Sequence, residues 1–307
     1  MDQVLKRPIS EQTTRKSVSI GRILAWAALI AMLIITLAPF WWVIRTSLST
    51  NRELFANATS LLPAGLTFGN YLRVLGFLDT EAALAMGGSG QKINFFLYLR
   101  NSVIVSTLVV VGQLLFSSLS AYAFARLRFP FREKIFLLYL AALMIPGIVT
   151  LIPNYILVRN LNWFNTFQGI VAPVLLFSPF TVFFLRQFFL GINRELEEAA
   201  RLDGTGVFGT FVRIILPIST PPLVTMGILT FISTWNEYLW PLLVGSKEEA
   251  TRVLTVALGI FRSQTPQGSP DWTGLMAGAM LSALPGIILF LVLGKRILNS
   301  IQFSGYK

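Results

Sequence analysis

Residues 101–125, NSVIVSTLVVVGQLLFSSLSAYAFA, run for 25 positions without an Asp, Glu, Lys or Arg, and Arg126 closes the run. A bilayer-spanning helix needs about 20 mostly apolar residues, so this stretch is long enough to cross. Five more strongly apolar, charge-free runs of 22 residues or more flank it, at 23–44, 135–158, 160–185, 214–236 and 272–294. The run 54–72 is shorter and holds Asn57, Thr59, Pro63, Gly65, Thr67, Gly69 and Asn70, so it reads as an irregular loop. Residues 161–168 are mixed in character, which puts the start of that helix near Phe167. The pattern predicts an all-α, polytopic membrane protein with six transmembrane helices.

Composition agrees. Of 307 residues, 54% are apolar and only 13% charged, about half the usual quarter for soluble domains. With no Cys, disulfides, thiol catalysis and Cys-ligated zinc are excluded; with no His, so are Ser-His triads and His metal sites. A net charge of +11 suggests either nucleic acid or the asymmetric basic loops of a membrane protein. Placing the N-terminus inside puts 16 of the 25 Lys and Arg in segments 1–22, 126–134, 186–213 and 295–307, against nine outside. Arg126, Arg128, Arg132 and Lys134 crowd one short loop and give the sharpest orientation signal. Both termini are therefore expected in the cytoplasm. The basic excess then faces lipid headgroups and requires no nucleic acid.

The first apolar run is too long for a signal-peptide core and passes through Phe40, Trp41 and Trp42 without a small-residue cleavage site, so a retained helix is expected. The chain divides into residues 1–97, with the first helix and a long external loop, and a five-helix remainder at 98–307. Gly87-Gly88-Ser89-Gly90 in that loop reads as flexible.

Between the fourth and fifth spans lies GINRELEEAARLDGTGVFGTFVRIILP, residues 191–217. Gly191 ends a helix, Asn193 is a plausible N-cap, and Glu195, Glu197 and Glu198 occupy first turns favoured by the helix dipole. Leu196, Ala199 and Ala200 share a face, Gly204 permits a terminating turn, and Pro217 opens the next span. The residues alone fit a short helix lying in a cleft of another protein, or an amphipathic helix resting on lipid.

Glu198-Ala199-Ala200, three residues, Gly204, nine residues, then Ile214, Leu216 and Pro217 resemble the "EAA" motif of bacterial ABC importer permeases. LRNSVIVS (99–106), AYAFARLRFPFR (121–132), MIPGIVTLIPNYILV (144–158) and TWNEYLWPLLV (234–244) resemble the smaller permease subunit of maltose-type carbohydrate importers. The resemblance covers about residues 98–307. It implies a cytoplasmic coupling helix docked in an ATP-hydrolysing subunit, with Glu198 facing a basic residue there, Ala199 and Ala200 allowing close approach, Gly204 making the bend, and Asp203 matching a common family choice. It also implies a second permease, two ATPase subunits, an external solute-binding protein and a carbohydrate carried by alternating access. ATP and Mg would sit on the partners, with no cofactor on this chain, in the inner (plasma) membrane.

The chain has no Walker A pattern, Gly90-Gln91-Lys92 coming nearest, and no catalytic constellation, so no enzyme activity is expected. Trp235-Asn236-Glu237-Tyr238 lies at the outer end of the fifth run, followed by Pro241. Trp235, Asn236, Glu237 and Tyr238 are candidates to line a substrate path; alternatively Glu237 anchors the helix at the headgroups, with Trp235 and Tyr238 as aromatic belt. Asn154 and Tyr155 in the third run are further substrate-lining candidates. Residues 245–271, with Pro266, Gly268, Pro270 and Trp272 at its end, form either a plain external connector or, by the resemblance, a loop reaching the binding protein. The tail 297–307, with Gln302 and Tyr306, is expected to be cytoplasmic. The alternatives are an ABC permease for a non-sugar solute, an ion- or proton-coupled transporter, and a membrane anchor. A secondary transporter wants charges buried along its spans, and the six runs have none; an anchor leaves the EAA spacing unexplained.

Overall fold

A computed structural model describes residues 20–90, 92–176, 178–263 and 270–302; among them there are helices and no strands. Pro266, Gly268 and Tyr306 lie outside the described residues. The chain opens with α1 (Ile20–Ser47), followed by three short helices, α2 (Asn51–Ala56), α3 (Gly69–Val74) and α4 (Thr80–Ala85). Residues 54–72, expected to be irregular throughout, thus carry helical turns at both ends. The central helix α5 (Phe95–Arg126) is capped by Asn94, whose side chain accepts from the Leu97 N–H. After it come α6 (Arg132–Ala142), α7 (Gly147–Asn160), α8 (Phe167–Leu175) and α9 (Pro179–Leu190). The short α10 (Glu195–Leu202) and α11 (Val207–Thr210) lead into a π turn at Phe211–Ile215 and α12 (Leu216–Ile218). Finally α13 (Thr220–Trp235), α14 (Leu239–Gly245) and α15 (Leu254–Ser263) precede α16 (Trp272–Gln302).

Three helices are long and apolar enough to cross a membrane unbroken: α1, α5 and the Trp272–Gly294 part of α16. The other three apolar runs are bent pairs: α6 with α7 at 96°, α8 with α9 at 43°, and Val207–Ile218 with α13 at 77°. Each pair is one span if the bend is spanned. Proline chemistry sits at every bend. Pro146 disfavours helical backbone at Ile145 before α7. Pro179 starts α9 after Ser178, whose hydroxyl accepts from the Thr181 N–H. Pro221 and Pro222 fall in the first turn of α13, where a missing N–H costs nothing.

α5 is the axis of the bundle, packed against α8, α9, α13 and α15, whereas α1 lies at the periphery against α16 with its apolar surface exposed. Gly112 permits the α5–α8 approach: a Cβ there would run into the Leu175 side chain and stand 3.1 Å from the Leu175 carbonyl oxygen. Three apolar clusters lie along this axis. Val74, Phe95, Tyr98, Trp235 and Phe261 occupy the end nearest α3. Val105, Val109, Val158 and Ile170 lie in the middle. Tyr122, Phe124, Phe136, Leu185, Phe189 and Phe211 fill the end nearest α10.

The loop glycines are not slack. Ser89 is fully buried, and its N–H and hydroxyl bond the Asp271 carboxylate at 2.8 and 2.9 Å. Gly87 takes φ +77° to turn the chain into that contact. The composition of Gly87–Gly90 suggested freedom, but a carboxylate distant in sequence holds the segment.

Candidate functional site

Two regions carry chemistry beyond packing. The first is built around α10. Gly191 ends α9, and Asn193 Oδ1 accepts from the Glu195 N–H at 3.1 Å while its amide donates to Glu195 Oε2. The N-cap itself is Arg194, one residue later than the sequence suggested. Gly204, with φ +78°, closes the helix: its N–H bonds the Arg201 carbonyl, and Thr205 N–H bonds that of Ala200 at 2.9 Å. This double turn is the Schellman closure that glycine favours. Glu198, Ala199, Asp203 and Gly204 are exposed, as is Pro217 on α12. Leu202 is 90% exposed. Glu197 and Ala200 turn inward and are buried, so the face expected to unite Leu196, Ala199 and Ala200 is divided, with only the first two open.

Glu197 meets the last residue of α5. Its carboxylate lies 2.7 Å from Arg126 Nε, and Arg126 also donates to the Ile192 carbonyl. Nearby, Arg186 of α9 pairs with Glu133 and stacks over Phe136 at 4.0 Å.

The second region is a cavity of about 630 Å³ between α5, α7, α8, α9, α13 and α14. Ser102, Ser106 and Gln113 enter it from α5, Thr150 and Asn154 from α7, and Thr230, Ser233 and Thr234 from α13. Gln113 donates to the Val174 carbonyl at 2.7 Å and accepts from Thr230 at 3.4 Å. The buried Ser106 hydroxyl has no protein partner among the described residues, which leaves one hydrogen-bonding group at the wall uncommitted. Glu237 lines the cavity and accepts from the Trp240 N–H at 3.2 Å. Among the described lining residues it is the one charged group.

Of the six expected substrate residues, Asn154, Trp235 and Glu237 line this cavity, and Asn236, Tyr238 and Tyr155 do not. Trp235 is buried and donates to the Ser282 carbonyl at 3.0 Å. The Asn236 amide turns back to Ile232, Tyr155 packs against Phe164, and the Tyr238 ring lies over Gly259. The hydroxyl and amide positions passed over in the sequence had a signal. Residues 102, 106 and 113 recur on one helical face, as do 230, 233, 234 and 237.

Residues 113–301 match the family described as binding-protein-dependent transport system inner membrane component. The chain is 33% identical over 290 residues to the arabinooligosaccharides transport system permease protein of Halalkalibacterium halodurans, covering 93% of this chain and 97% of that one. It is 32% identical to the sn-glycerol-3-phosphate transport system permease protein of Agrobacterium fabrum, over 90% of this chain and 94% of the other. A trehalose/maltose transport system permease protein of Thermococcus litoralis is 31% identical, with 93% and 97% covered. In fold, the protein is similar to a chain of a bacterial ABC transporter involved in the import of the acidic polysaccharide alginate, with a TM-score of 0.75, 22% identity, and 91% and 97% of the two chains covered. The chain therefore belongs to the binding-protein-dependent transport inner-membrane component family, as an ABC transporter permease subunit and not an enzyme.

Proposed function

We propose that the chain is one of two permease subunits in an ATP-driven importer that carries an uncharged sugar or sugar-like solute inward by alternating access. In this reading each bent pair is one span, giving six, with both termini and α10 in the cytoplasm and α2–α4 outside. Residues 1–97 form an appendage, and 98–307 form the permease core. α10 is the coupling helix: Glu198, Ala199, Asp203 and Gly204 meet the ATPase subunit, Ala200 seats the helix on its own chain, and Pro217 starts the return to the membrane. Two ATPase subunits hold ATP and Mg, a second permease completes the pathway, and an external binding protein delivers solute.

The observation that carries the solute class is the cavity lining. Hydroxyls and amides alternate with apolar walls, and Trp240 and Trp235 border the space near Glu237. Sugars present hydroxyls and apolar C–H faces, which such a surface matches. The similarity to a glycerol-phosphate permease favours a second reading, a phosphate-bearing polyol. That reading calls for a cation at the wall, and none stands among the described lining residues.

The test is reconstitution of the complete transporter, with its partner subunits and binding protein, in proteoliposomes. ATP-dependent uptake is measured for maltose, trehalose, arabinotriose and sn-glycerol 3-phosphate. Uptake of a neutral sugar supports the proposal. Uptake of the phosphate ester alone, or uptake that persists without ATP, overturns it.

A further inference from the structure

We propose that Arg126 and Glu197 form a coupling latch, a positioning pair that makes α10 a rigid extension of α5. The inference rests on the reading of α10 as the helix that docks on the ATPase, and goes beyond it by naming the route that its motion takes.

The covalent routes out of α10 are poor levers. Toward α13, the chain passes Gly204 at φ +78°, Gly206, the π turn at Phe211–Ile215 and a 77° bend. Toward α9, it passes Gly191 and three residues outside any helix. α5, in contrast, is one unbroken 32-residue helix without an internal proline. Its last residue reaches Glu197 of α10 with Nε at 2.7 Å and also holds the Ile192 carbonyl of the α9–α10 link. One guanidinium therefore clasps both the helix and the strap leading into it.

Burial makes this contact stiff. The two side chains are 4% and 6% exposed, and separating them would leave each buried charge without its counter-charge, with only the Ile192 carbonyl on Arg126 and the Tyr122 hydroxyl on Glu197. Among the described residues it is the only ion pair that α10 makes. Up the same helix, Gln113, Ser106 and Ser102 line the cavity, Gln113 lying about 20 Å above Arg126 at 1.5 Å per residue. A displacement of α10 thus has a route to the cavity wall through this side-chain pair and one unbroken helix.

The test uses the complete transporter in proteoliposomes and reads uptake per ATP hydrolysed, with permease content and ATPase association measured alongside. Glu197→Gln, nearly isosteric, and Arg126→Ala should lower uptake per ATP about ten-fold, within the usual span of coupling effects, while the ATPase subunits stay bound. The exchange Arg126→Glu with Glu197→Arg should recover much of the loss. Because the chain has no cysteine, Arg126→Cys with Glu197→Cys adds a short bis-methanethiosulfonate linker a unique pair to bridge in this subunit. Linking should restore uptake per ATP, and reductant should remove it again.

Unchanged uptake per ATP in both single variants overturns the latch, as does a linked transporter that is blocked, since the pair would then have to open in the cycle. A loss that only follows permease content means a folding role and also overturns it. Glu198→Lys separates the underlying reading: if that variant keeps full ATPase association and uptake, α10 is not the docking helix. If it loses association while the Arg126 and Glu197 variants keep full uptake per ATP, the latch alone fails.

Discussion

Arg73 Nη1 stands 2.6 Å from Asp271 Oδ2, with both side chains almost fully buried and 198 positions between them in sequence. Asp271 also accepts from the Ser89 N–H and hydroxyl, from Thr273 and from the Gly274 N–H at the start of α16. Arg73 lies over the Phe261 ring as well. One carboxylate thereby joins α3, the glycine loop and the N-terminus of α16, where the helix dipole also favours a negative charge.

Removing either partner leaves the other's buried charge without its counter-charge, a change that costs about 3–5 kcal/mol. Arg73→Ala and Asp271→Ala should each lower the Tm of the purified protein clearly, whereas the double variant should lose less than the sum of the two. Thermal unfolding of the three variants measures this coupling; strictly additive losses would show that the pair does not act as a unit.

The same carboxylate sets a pH signature. Burial by itself would raise its pKa, but the Arg73 charge and the N–H donors of Ser89 and Gly274 outweigh burial and hold it below the usual carboxylate value. In the window between the folded pKa and the ordinary value of about 3.9, the unfolded chain binds a proton that the folded protein refuses. The stabilisation is thus fully present above the unfolded value and is lost as pH falls through the folded one. The Tm difference between wild type and Asp271→Asn should stay constant from about pH 7.5 to 5 and shrink below about pH 4. A gap that changes between pH 7.5 and 5 would mean another group controls the site.

The cavity wall separates residues within each of two sequence strings, 144–158 and 234–244. Asn154 and Glu237 face the space, while Asn236 and Tyr238 turn elsewhere. A lost hydrogen bond to a neutral hydroxyl is worth about 1 kcal/mol, or about five-fold in affinity. Asn154→Ala, Glu237→Gln and Gln113→Leu should therefore raise the KM of neutral-sugar uptake several-fold, and Asn236→Ala should leave it near wild type. Initial-rate uptake in proteoliposomes checks the ranking, and an Asn236 effect equal to that of Asn154 would refute it.

Much of this arrangement is readable in the chain, and the remainder is hidden for definable reasons. Runs without charge mark all six apolar stretches, because a bilayer core penalises charge strongly enough to leave gaps in composition. Pro146, Pro221 and Pro222 stand at the 96° and 77° bends, yet a proline states where regular backbone fails, not the angle that packing then imposes. Gly204 was legible because a left-handed turn asks for a residue without a Cβ. Arg73, Asp271, Arg126 and Glu197 read as ordinary loop and helix-end charges, since nothing local names a partner 198 or 71 positions away. The cavity was hidden for a different reason: Ser and Thr are common in apolar runs, and only their shared faces at 102–106–113 and 230–234–237 separate a lining from chance.

Gly204 supplies the last prediction, because its two possible roles, backbone conformation and close approach, separate cleanly. A Cβ built there meets nothing within 4 Å among the described residues, so the φ of +78° is what resists substitution. Asn tolerates that left-handed region, while a β-branched side chain clashes with its own carbonyl at a cost of about 1–2 kcal/mol. For the isolated permease, Gly204→Asn should be nearly neutral, while Gly204→Val should lower the Tm by what that backbone strain costs. If α10 docks on the ATPase as proposed, the added side chain also meets that surface in the assembled transporter, so both variants should weaken ATPase association, measured by co-purification of the subunits. If Gly204→Asn preserves association fully while Gly204→Val destroys it, backbone conformation alone is at stake, and the partner surface does not approach this glycine closely.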